Sequence, residues 1–126
     1  MNEIWIFGNE NVEEDSLPLR LMPGLNKRLP GVQFILKDPN EEWDALPNPF
    51  IIIDTVRGIK EVTVFTDLDQ FVSTPQVTVH DFDLGMKLRW LQKLGKLPPF
   101  KIIGIPFNCT PQLAIAQITS ILGEYL

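Results

Sequence analysis

At 126 residues and 14.4 kDa, with 44% hydrophobic and 21% charged residues, the chain has the length and composition of one globular domain spanning 1–126. Disordered, collagen-like and coiled-coil classes are excluded on composition. Eleven basic against sixteen acidic residues leave a net charge of −5, which argues against a nucleic-acid partner.

The single cysteine, Cys109, permits no internal disulfide, as expected of a cytoplasmic protein. The opening Met1-Asn2-Glu3 has no basic n-region, and the apolar run Ile4–Phe7 is far shorter than a leader's core or the ~20 residues of a membrane span. No membrane attachment is expected.

In chain order, Ile4–Phe7 closed by Gly8-Asn9 reads as a strand buried on both faces. Asp15-Ser16-Leu17-Pro18 offers N-cap side chains and a first-turn proline, and Leu17, Leu21, Leu25 and Leu29 recur every four residues, predicting a helix that faces a core. Pro23-Gly24 inside that helix predicts a kink or a split. Val32–Leu36 is a second strand, broken by Asp38-Pro39-Asn40 into an acidic loop that runs through Trp43 to Pro49. Phe50–Ile53 is a buried strand ending at Asp54. Arg57-Gly58 then turns the chain into Glu61–Phe65, an antiparallel or edge strand.

Thr66–Pro75 reads as loop, followed by the β-branched run Val77–Val79 and His80-Asp81. Asp83 caps a predicted helix over 84–94, with Leu84, Leu88, Trp90 and Leu91 on its core face, Lys87, Arg89 and Lys93 toward water, and Gly95 at its end. Lys101–Ile105 is a final buried strand, and Pro111–Leu122 an amphipathic helix with Leu113, Ile118, Ile121 and Leu122 inward. Strands alternating with helices predict a three-layer α/β/α sandwich around a mostly parallel sheet. Such sheets carry their sites at the carboxyl ends of the strands, beside the point where strand order reverses.

Three exits hold polar residues: Gly8 through Ser16, Asp54 through Gly58, and Val79 through Asp83. If they meet at one crevice, Asp15, Asp54 and His80 converge, and two carboxylates with one imidazole form a donor set for a borderline divalent metal. Each residue also has a plainer reading. Asp15 could serve only as an N-cap. His80, the only histidine, could be a surface or structural residue, with Asp81 orienting its ring. Asp54 carries more weight, because a carboxylate closing an apolar strand is costly to bury without partners.

The acidic run Glu10, Glu13, Glu14 and Asp15 reads as a solvated loop that a cation or basic partner would stabilise. A Cys109–His80 nucleophile pair has no local signature to support it. Gly8-Asn9-Glu10 lacks the later glycines of a phosphate-binding fingerprint, so neither a nucleotide nor another organic cofactor is expected.

Taken together and in order, Ile4-Trp5-Ile6-Phe7-Gly8-Asn9, Glu14-Asp15-Ser16, Ile51-Ile52-Ile53-Asp54-Thr55, Thr78-Val79-His80-Asp81 and Ile102-Ile103-Gly104-Ile105 resemble the hydrogenase maturation proteases over nearly the whole chain. The resemblance implies an α/β/α endopeptidase, a monomer, that removes a C-terminal peptide from the nickel-loaded large subunit of a nickel-iron hydrogenase. By motif position it puts the catalytic and nickel-recognising residues at Asp15, Asp54 and His80, with the nickel supplied by the substrate rather than resident. The chain departs from the family's Asp-Asp-Gly-x-Gly at Glu14-Asp15-Ser16-Leu17-Pro18, and from a glycine-rich turn at Lys37-Asp38-Pro39-Asn40-Glu41. Those departures keep two alternatives in view: a non-catalytic relative that binds a metal-loaded partner without cleaving it, and an unrelated flavodoxin-like module.

Overall fold

The computed structural model describes residues 2–8, 16–73 and 79–126, and for 79–82 the backbone alone. The elements are β1 (Asn2–Ile6), α1 (Leu17–Arg28), β2 (Val32–Leu36), β3 (Phe50–Val56), β4 (Thr63–Phe65), α2 (Leu68–Val72), α3 (Val79–Lys93), β5 (Phe100–Pro106) and α4 (Pro111–Tyr125). The strands form one sheet in the order β2-β1-β3-β5-β4. β1, β2, β3 and β5 run parallel, while β4 closes the edge antiparallel to β5, so the expected α/β/α architecture and its antiparallel edge strand are both present.

All seven residues of β3 are buried, as a strand covered by helices on both sides requires. Alternation sorts their side chains. Ile51 and Ile53 join Ile4, Ile6, Ile103 and Ile105 in a core under α1 and α4, where Leu17, Leu21, Leu25, Ile118 and Leu122 complete it. Phe50, Ile52 and Val56 point the other way, into a core with Trp5, Phe7, Phe65 and Ile102 that is covered by Leu68 and Phe71 of α2 and Leu84 and Leu88 of α3.

Pro23 does not split α1, which runs unbroken from Leu17 to Arg28. Pro23 lies on the exposed face, so the carbonyl its ring leaves without an N–H donor faces water. On the inner side the fully buried Leu17, Leu21 and Leu25 tie both halves of the helix to one core. Gly24 brings α1 so near α4 that a Cβ there would stand 2.6 Å from Ile115 Cδ1.

α3 begins at Val79, not at Asp83, and the predicted cap instead accepts a hydrogen bond from Asn40 Nδ2 at 3.2 Å. Of the expected β-branched run, Val79 is helical and 77 and 78 lie outside the described residues. The helix ends as expected at Gly95, φ 69°, where Lys96 N donates to Leu91 O and Gly95 N to Gln92 O. Trp90 does not join the core face: it is 57% exposed, and Leu113 of α4 is 51% exposed. Within the segment expected to be loop, Leu68–Val72 is a short helix, with Asp67 at its N-cap accepting from Asp69 N at 2.9 Å.

β2 and β3 are joined across β1 by residues 37–49, which contain no helix. Trp43 takes over the covering role, edge-on to Trp5 at 5.1 Å and 5.8 Å from Phe7. Lys87 of α3 clasps the loop by donating to Glu41 O at 3.0 Å while its Nζ sits 4.8 Å above the Trp43 ring.

Candidate active site at the carboxyl edge of the sheet

Strand order reverses between β1 and β3: the chain leaves β1 for β2 on one side, and β3 for β4 and β5 on the other. The crevice outside the carboxyl ends of these two strands is therefore the expected site. Phe7 N donates to Ile53 O at 2.9 Å, so the exit of β1 stays joined to β3 as far as the residue before Asp54. α1 starts at this edge, following β1. α3 precedes the parallel strand β5 through a short connection, runs back against it, and so begins at the same edge.

Asp54 lies inside β3 rather than at its end, because Thr55 and Val56 continue the pairing with Ile105 and Pro106. Its side chain is fully buried, and Oδ1 accepts the backbone N–H of Thr55 at 2.9 Å. By alternation Asp54 shares the α2/α3 side of the sheet with Phe50, Ile52 and Val56. Across β5 its register partner is Gly104, where a Cβ would come within 2.8 Å of both Phe65 Cε2 and Val56 Cγ2. The wall beside the carboxylate is thus apolar and tightly filled, which strengthens any electrostatic contact Asp54 makes.

Asp15 and the acidic run of which it is part lie outside the described residues. His80 falls in the first turn of α3, at the same edge, and only its backbone is described. The three expected residues are therefore represented by one described side chain, Asp54. Among the described residues no three His, Cys, Asp or Glu side chains gather to hold a metal ion.

Two features of this edge are missed by reading the sequence alone. Arg57, at the β3 exit, places its guanidinium 5.7 Å from the ring of Phe107 at the β5 exit, and Gly58 makes the turn possible with φ 87°. An arginine directly after a strand that ends at a candidate site is the signal that could have found it. Thr55, the polar neighbour of Asp54, is also buried, on the opposite face of the sheet. Cys109 follows β5, and burial pushes its thiol pKa above the ordinary value, so at neutral pH it stays protonated and a poor nucleophile. No helix among the described residues is long and apolar enough to cross a membrane.

No protein-family model matches the sequence, and no curated protein matches it. Solved structures do match the fold. The hydrogenase maturating endopeptidase HybD from E. coli superposes with a TM-score of 0.67 at 16% identity, over 99% of this chain and 94% of that one. An uncharacterized protein from Wolinella succinogenes gives a TM-score of 0.60 at 11% identity, over 99% of each chain. The chain therefore has the fold of a hydrogenase maturating endopeptidase along almost its whole length, including the strand that buries Asp54.

Proposed function

We propose that this protein is an endopeptidase of hydrogenase maturation, removing a C-terminal peptide from the nickel-loaded large subunit of a nickel-iron hydrogenase. The observation that carries the reading is the fully buried Asp54, at the carboxyl edge of β3 beside the reversal of strand order, in a fold shared with such an endopeptidase. Asp54, Asp15 and His80 are assigned to the nickel that the substrate brings. Two carboxylates and an imidazole repel or ignore an uncharged peptide terminus, but a cation held in the substrate compensates their charge, so a precursor without nickel is rejected. The same ion polarises the scissile carbonyl. The net reaction is hydrolysis: the C–N bond breaks, and one water supplies the hydroxyl of the new carboxyl terminus and the proton of the freed amine.

The second reading, a relative that binds the metal-loaded partner without cutting it, is favoured by α1. Leu17 and Pro18 are buried in the first turn where the family has a flexible glycine loop, so the backbone approach to a substrate peptide is stiffer here. Incubation with a cognate precursor in nickel-loaded and nickel-free forms, followed by mass spectrometry of the C-terminus, separates the readings. Loss of the peptide from the loaded form alone is the expected result. Binding of the loaded form without peptide loss would establish the second reading.

A further inference from the structure

Away from the carboxyl edge, the second half of α3 presents a continuous apolar stripe to solvent. Met86, Trp90 and Leu94, spaced four apart, are 57%, 57% and 48% exposed. Beside the stripe a cleft of 640 Å³ opens between α3 and the segment that carries Trp43 and Leu46. Lys87 and Lys96 line the cleft on the α3 side, and Glu42 and Asp44 line the other.

Charge along the chain is distributed in a way that concerns this face. Residues 84–123 contain five Lys and Arg and no Asp or Glu, although the protein as a whole is acidic. Four of those five, Lys87, Arg89, Lys93 and Lys96, lie on α3 or just beyond its end. Arg89 is engaged by Asp69 at 2.6 Å, whereas Lys93 and Lys96 stand exposed.

We infer that this cleft is the docking site for an acidic amphipathic helix of a partner protein. Large apolar side chains four apart on the partner enter between Trp43 and Trp90, packing against the stripe as one helix packs on another. Carboxylates on the flank of the partner helix that lies along α3 meet Lys93 and Lys96, both exposed within a stretch, 84–123, that holds no acidic residue. A lipid surface fits less well, because the feature is a cleft that a planar bilayer would meet only at its rim. Trp90 lies about 16 Å along α3 from the helix's first residue, at 1.5 Å per residue, so a partner docked here reaches the carboxyl edge. The inference goes beyond the proposed cleavage and stands without it.

The test uses the full chain and three fluorescein-labelled helical peptides of one frame, with leucines four apart flanked by Glu, Gln or Lys, read by fluorescence anisotropy. The Glu peptide binds at least about tenfold tighter than the other two, and its affinity falls as salt is added. Trp90→Ser and Lys96→Glu each weaken it at least about tenfold, while circular dichroism and melting stay unchanged because both side chains are exposed. Failure of the Glu peptide to bind, binding indifferent to peptide charge, or binding indifferent to both variants overturns the inference. Two further measurements can also overturn it. Co-sedimentation with phosphatidylcholine–phosphatidylserine vesicles that Trp90→Ser abolishes assigns the face to lipid, and a concentration-dependent dimer that Trp90→Ser abolishes assigns it to a second copy.

Discussion

Asp54 occupies a position where an apolar residue would continue the strand and its packing, since Phe50, Ile52 and Val56 share its side of β3 in one hydrophobic core. Taking a carboxylate fully out of water costs several kcal/mol, so a charge held at this depth marks Asp54 as a candidate for the site. Asp54→Asn keeps the acceptor that Thr55 N uses and removes only the charge. The variant is expected to retain its circular dichroism spectrum and lose processing of the loaded precursor by at least about a hundredfold, the several kcal/mol that contact with a catalytic metal is worth. Unimpaired processing by Asp54→Asn would remove the residue from the site. Asp54 was legible in the sequence because an aspartate directly after Phe-Ile-Ile-Ile has few bland explanations. Its place inside the strand was not, because Thr55 and Val56 are read as the start of a turn until the pairing with β5 is known.

At the scale of elements, the signals that held were those whose cause is local. Gly95 ends α3 because its positive φ closes two backbone hydrogen bonds, and the four-residue leucine spacing of α1 directs that helix to a core. The signals that failed were settled by distant partners. Pro23 leaves α1 undivided because the turn it disrupts lies on the exposed face. α3 starts earlier than Asp83, Val79 being already helical although its β-branched type favours a strand. Trp90 was misplaced because the helix is flanked by a tryptophan-bearing loop where a second helix would ordinarily stand. Gly104 has a cause of this long-range kind too: Phe65 and Val56 occupy the space of its missing side chain. Gly104→Ala is expected to destabilise the fold by about 1–3 kcal/mol through overpacking, seen as a lower urea midpoint. An unchanged midpoint would show that Phe65 can give way.

For the molecule as a whole, β1, β3 and β5 each feed two cores, one under α1 and α4 and one under α2, α3 and Trp43, and β3 is the central strand of the three. Neither face retains its floor if that strand leaves. Unfolding in urea is therefore expected to be a single cooperative transition, with tryptophan fluorescence, which reports on Trp5, Trp43 and Trp90 on the α3 side of the sheet, coinciding with far-UV circular dichroism, to which α1 and α4 contribute. Distinct midpoints would mean that the faces melt separately. The layered architecture was legible from the alternation of apolar runs and helical patterns. The placing of Asp54 and of the first turn of α3 at one edge of the sheet was legible from the same alternation, while Asp15 lies outside the described residues.

The order of strands also sets an order in time. β3 finds its partners about fifty residues away in either direction, β1 behind it and β5 ahead, so its pairing closes long loops and comes slowly. On the ribosome the run Phe50-Ile51-Ile52-Ile53 emerges well before β5 exists to cover one of its edges. All sixteen acidic residues but one precede residue 84, so the stretch made first carries the charge that keeps nascent chains apart while the least soluble strand waits for its partner.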